Sequence, residues 1–182
     1  MRILVTGGSG FIGTNFISLL EKKSCIILNI DINEPKNTGH SQYFVRVDIN
    51  DYESLFRTMF NFKPDYVVHL AARTDLNGED LNSYLSNTRG VENILRCCNE
   101  LPNIKRLILA STKLIAPTDA QVSDLTSYSP DTIYGESKVL GEKIIESNKY
   151  YDNWIIVRPT SIWGPWSLDE NIPYGKLFQI IK

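Results

Sequence analysis

Residues 5–14 read VTGGSGFIGT, four glycines in ten positions, between an apolar run, RILV, and a segment with helical spacing, FIGTNFISLL. Gly8, Gly10 and Gly13 spell G-x-G-x-x-G, and Gly7, Gly10 and Gly13 spell the overlapping G-x-x-G-x-x-G. Both follow the first strand pattern directly and open the first helix pattern, the context that gives the spacing its meaning. Glycine tolerates positive φ in a tight turn and lets a backbone approach a diphosphate. The free amide groups of a helix start attract the negative charge. The loop therefore reads as a dinucleotide cradle. A nucleoside-triphosphate loop would need lysine where Thr14 follows Gly13. Asp31 closes the second strand pattern, 18 residues past Gly13, near the spacing expected of an acid that binds the adenosine ribose hydroxyls. Its charge would repel a 2′-phosphate, so NAD is expected over NADP.

Outward from this loop, β-branched runs alternate with amphipathic ones. Strands are predicted at 2–6, 25–31, 43–47, 65–70, 104–110 and 153–158, and helices at 11–22, 51–61, 80–100 and 130–149. Ser129 is the expected N-cap of the last helix, with Pro130 at its first position. Apolar strands separated by helices imply a parallel sheet covered on both faces, because parallel connections must cross over. The fold class is α/β, a doubly wound parallel sheet of about six strands. The polar stretch at 116–129 is long enough for a functional loop.

Composition agrees with one globular unit: 182 residues, 42% hydrophobic and 22% charged, with a formal net charge of -2. That balance gives no reason to expect nucleic acid or an anionic membrane as partner. Cys25, Cys97 and Cys98 fit neither a disulfide framework nor a paired metal-ligand spacing, so packed thiols, no metal and a cytoplasmic location are expected. No run is long enough to cross a bilayer.

Tyr134 and Lys138, in YGESK, lie four apart on the last predicted helix and share a face. Such a pair is common by chance, so its position decides. In a doubly wound sheet ligands collect beyond the carboxyl ends of the strands, and the fifth strand delivers Ser111 and Thr112 there. A neighbouring ammonium and a cationic nicotinamide would favour the phenolate of Tyr134. Tyr134 could then take a proton from a hydroxyl while Thr112 hydrogen-bonds the reacting oxygen. His69 reads as a packed strand residue, and Gly90, inside a helix, as a site of close packing.

TGGSGFIG, Asp31, VDI at 47–49, HLAA at 69–72, NTRG at 87–90, AST at 110–112, YGESK and RPTSIWGP at 158–165 together resemble the extended short-chain dehydrogenase/reductases. More narrowly, they resemble the NAD-dependent epimerase/dehydratase family that acts on nucleotide sugars. The resemblance implies a Rossmann fold with NAD as cofactor and a nucleotide sugar as substrate. Thr112, Tyr134 and Lys138 would be the catalytic residues, with Lys138 also holding the nicotinamide ribose. Gly7, Gly10, Phe11 and Ile12 would contact the diphosphate, Asp31 and Asn33 the adenosine ribose region, and Asp48 and Ile49 the adenine. Leu70, Ala71 and Ala72 would line the floor beneath the cofactor, Ala110 would neighbour the nicotinamide, and Pro159 would meet its carboxamide end. Asn87 matches a chiefly structural asparagine.

Departures from the pattern narrow the chemistry. Family 4,6-dehydratases follow the threonine with Asp and Glu, where this chain has Lys113 and Leu114, so a 4-epimerase or sugar reductase is expected over a dehydratase. Ala116 and Pro117 stand where the family has Tyr-Gly. The family continues into a smaller sugar-gripping portion, whereas this chain stops at GKLFQIIK. The expected division is a dinucleotide-binding domain over 1–165 and the start of a truncated substrate-binding portion over 166–182, in a chain that binds NAD but turns sugar over poorly. Trp163 and Trp166 are expected to pack, the alternative being a place in the interface with the sugar-gripping portion. The rival reading is a noncatalytic NAD(P)-binding scaffold or sensor, and a homodimer remains open.

Overall fold

The structure is a computed structural model that describes residues 1–116 and 128–167. The expected loop at 116–129 and the portion from 166 onward therefore lie largely outside the described residues. The six strands are β1 Arg2–Thr6, β2 Ile26–Asp31, β3 Phe44–Arg46, β4 Tyr66–His69, β5 Arg106–Ala110 and β6 Trp154–Val157. The helices are α1 Phe11–Leu20, α2 Tyr52–Phe62, α3 Leu85–Glu100 and α4 Ile133–Glu146. The strands form one parallel sheet in the order β3-β2-β1-β4-β5-β6. The direction of winding reverses between β1 and β4, and a crevice opens at such a switch point beyond the carboxyl ends of the strands.

Alternate side chains leave opposite faces of each strand, so a sheet covered on both sides must be apolar at nearly every position. Ile3, Val5, Ile27 and Val68 pack with Ile17 and Leu20 of α1. Leu4, Ile30, Val67, Leu107 and Leu109 pack on the other face with Leu55 and Met59 of α2, with Val91, Ile94 and Leu95 of α3, and with Ile145 of α4. Cys97 and Cys98 are free thiols in this second core, and burial pushes both thiols up, Cys97 to about 12. Among the described residues no helix is long and apolar enough to cross a membrane.

Two local outcomes differ from the sequence expectation. The N-cap of α4 is Thr132, not Ser129, and its hydroxyl accepts from the Gly135 amide at 3.0 Å. Ser129 instead donates its amide to the Ile115 carbonyl at 2.9 Å, which ties the approach to α4 against the end of β5. Residues 38–43 form a short 3-10 helix that no periodicity announced. Gly90 does mark a close approach, since a Cβ there would strike the Ile49 side chain, and Asn93 of α3 donates to the Ile49 carbonyl at 2.9 Å.

Candidate active site

The crevice at the switch point is a cavity of about 1020 Å³. Gly7, Gly10, Phe11, Ile12, Asp31, Asn33, Asp48, Ile49, Leu70, Ala71, Ala72, Ala110, Thr112, Tyr134, Lys138 and Pro159 all line it. One end is built from the glycine loop and Asp31, and the other from Thr112, Tyr134 and Lys138.

At the loop end, Gly7 has φ +72, and a Cβ there would stand 2.5 Å from the Ala71 amide nitrogen. Only glycine fits this passage between β1 and the end of β4. Gly10 precedes α1 without any side-chain cap, so among the described residues the first amide groups of the helix have no capping side chain. They lie against the cavity, where an anion would be favoured. Asp31 is aimed by main-chain amides, with Ser9 donating to Oδ2 at 3.1 Å and Asn33 to Oδ1 at 2.9 Å. The glycine loop thus orients the acid that the sequence placed beside it. Asn15 of α1 donates to the Pro165 carbonyl at 2.7 Å, drawing the segment after β6 back toward the helix start. Trp163 on that segment is 64% exposed, whereas the sequence expectation was a packed residue.

At the other end, Tyr134 and Lys138 project from the first turns of α4, and both are buried. The Lys138 ammonium donates to the Ala110 carbonyl at the tip of β5, at 2.5 Å. Burial pushes Lys138 down to about 8, against the upward pull of the Glu142 carboxylate. Thr112 spends one lone pair on the Leu114 amide at 3.2 Å, which fixes its side chain. Burial raises the Tyr134 phenol above its ordinary value, while the adjacent Thr112 hydroxyl opposes the rise. The protein groups alone therefore do not lower this phenol, contrary to the expectation from the neighbouring ammonium. Lys138 is committed to Ala110, and removal from water dominates at Tyr134.

The wall beneath is also fixed. Asn87 of α3 accepts from the Arg73 amide and donates to the Arg73 carbonyl, each at 2.9 Å, and it also donates to the Ser137 hydroxyl at 2.9 Å. One side chain therefore joins the loop after β4 to α3 and α4. His69 is fully buried, shares a 2.6 Å hydrogen bond with Thr6 through Nδ1, and is pushed down by burial to about 3, which keeps it neutral. Sequence reading left out Arg73, Ser86 and Ile162, which line the same cavity. It also left out Glu142 and Arg158 behind Lys138. YGESKVLGE does place an acid one turn after the lysine, but its partner Arg158 is visible only in three dimensions.

A family model for the NAD dependent epimerase/dehydratase family matches residues 3–182. GDP-6-deoxy-D-talose 4-dehydrogenase of Aggregatibacter actinomycetemcomitans is 33% identical over 96% of this chain and 56% of its own length. UDP-glucose 4-epimerase of Lactobacillus helveticus is 29% identical over 80% of this chain and 46% of its own. Among solved structures, the Bordetella bronchiseptica enzyme WbmG in complex with NAD superposes with a TM-score of 0.82 at 26% identity, over 100% of this chain and 59% of that one. Its complex with NAD and UDP gives 0.74 at 28% identity, over 87% and 52%. This chain spans about half the length of the curated relatives it matches.

Proposed function

The chain belongs to the NAD dependent epimerase/dehydratase family, and from that membership we propose that it binds NAD and serves a nucleotide-sugar epimerase or oxidoreductase reaction. The observation that carries this reading is the convergence of Thr112, Tyr134 and Lys138 on one end of a cleft whose other end holds the glycine loop and Asp31. The residues fit the coenzyme. The uncapped start of α1 and the passage at Gly7 suit a diphosphate, and Asp31, oriented by two amides, suits a ribose diol.

A bound nicotinamide supplies the hydride acceptor or donor. The protein supplies the proton chemistry. Tyr134 takes the proton of a sugar hydroxyl as that carbon is oxidised and returns it on reduction, acting as general base and then general acid. Thr112 hydrogen-bonds the same oxygen. A Lys138 ammonium that held a coenzyme ribose would add positive charge near the phenol and oppose the rise that burial imposes on it. Leu114 lines the cleft where water elimination would call for an acid or base, which supports epimerisation or net redox change over dehydration.

The test is Tyr134→Phe in the complete protein. Turnover of a responsive nucleotide sugar should fall by roughly 10²- to 10⁴-fold, as for loss of a general acid/base, with NAD binding retained by calorimetry. Unchanged turnover would remove Tyr134 from the mechanism. NAD binding with no turnover of any nucleotide sugar by the unaltered protein would favour a noncatalytic scaffold.

A further inference from the structure

One helical turn beyond Lys138, α4 buries a second charge that the proton chemistry does not use. The Glu142 side chain has 0% exposure. Arg158 grips it with both arms of its fork, Nε donating to Oε1 at 2.9 Å and Nη2 to Oε2 at 2.6 Å, and the Tyr128 hydroxyl donates to Oε2 at 2.8 Å. Burial pushes this carboxyl up, but the hydrogen bonds of Arg158 and Tyr128 and the nearby Ser111 hydroxyl outweigh it and hold the group below the usual carboxylate range. Glu142 is therefore an anion with no freedom to swing.

Such a pair is a poor device for stability. Desolvating two ions costs several kcal/mol each, and an apolar pair of similar volume is often as stable or more so. Its place relative to Lys138 accounts for it better. Tyr134 and Glu142 stand one turn before and one turn after the buried Lys138 on α4, the Ala110 carbonyl of β5 accepts from its ammonium, the buried His69 of β4 feels its charge, and Arg158, just past β6, is paired with Glu142. Tyr134 and His69 are held neutral, so Glu142 is the anion of this group. Arg158 immediately precedes Pro159, so the same ion pair ties the strand end that lines the cleft to the helix that carries Lys138.

We propose that Glu142, locked by Arg158 and Tyr128, is a positioning residue whose fixed negative charge keeps the buried Lys138 protonated and aimed at the cleft. Its catalytic meaning rests on the function proposed above, but the electrostatic coupling does not. The experiment is an NMR titration of isotope-labelled lysine side chains in the complete protein, with the Lys138 signal assigned by its loss in Lys138→Arg. Glu142→Gln should lower the Lys138 midpoint by about one pH unit or more, and Glu142→Asp should restore most of it. Glu142→Gln/Arg158→Gln, which removes one charge of each sign and leaves no orphaned guanidinium, should show a smaller fall in the same direction, because the guanidinium sits behind the carboxylate, and it covers the case in which the single variant does not fold. The alkaline limb of turnover should move with the midpoint. An unmoved midpoint in a folded Glu142→Gln or double-variant protein overturns the proposal. A lowered midpoint in a protein that binds no NAD upholds the coupling and overturns the functional reading instead.

Discussion

Asn87 and Arg73, 14 residues apart, hold each other through two reciprocal hydrogen bonds of 2.9 Å, side-chain amide against main-chain amide. The pair does for the loop after β4 what a strand neighbour would do, and it does so where that loop forms the cleft wall. Asn87→Ala leaves a main-chain N–H and C=O without this partner inside a packed region. We expect a loss of about 1–3 kcal/mol of stability, read as a lower urea midpoint at unchanged slope, together with weaker NAD binding. An unchanged midpoint would mean that the wall does not depend on this side chain.

Asp31 accepts from the amides of Ser9 and Asn33, so its carboxylate is oriented before any ligand arrives. Asp31→Ala should weaken NAD binding about 10- to 100-fold, the worth of hydrogen bonds to a charged group. Preference over NADP should shrink with it. Calorimetry with both coenzymes decides the matter, and an equal preference before and after substitution would discard the ribose assignment.

His69 predicts a pH dependence. Burial holds it near 3, against an ordinary value of 6.5, so between those values the unfolded chain carries a proton that the folded chain does not. Stability should therefore fall as pH drops below 6.5, by up to about 1.4 kcal/mol per pH unit from this residue. The contribution does not change above that value. Urea unfolding at a series of pH values should show a shallower acid slope for His69→Phe than for the unaltered protein. Identical slopes would show that His69 takes up its proton in the folded state.

Much of this was legible along the chain because it depends on neighbours in sequence. The glycine loop, the apolar runs of β1 to β6 and the Tyr134/Lys138 spacing are local patterns. The parallel sheet then delivers the ends of β1, β2, β4 and β5 to one edge. What could not be read depends on partners brought together by folding. Arg158 meets Glu142 across 16 residues, and Asn87 meets Arg73 across 14. The sequence points to too early a start for α4, because a hydroxyl and a proline at 129 and 130 resemble a cap as well as Thr132 does. Only Thr132 stands three residues before an amide it can reach. The rise at the Tyr134 phenol is hidden for a related reason, since charge spacing is visible in a sequence and desolvation is not.

We propose that a nicotinamide coenzyme spans this cleft from the Gly7–Gly13 loop to Tyr134. A crystal structure of the complete protein grown with NAD tests it most directly. The diphosphate should lie on the amides that open α1, the adenosine ribose on Asp31, and the nicotinamide ribose on Lys138, with the Tyr134 hydroxyl facing the ring. A coenzyme bound elsewhere, or a Tyr134 side chain turned away from the ring, would contradict it.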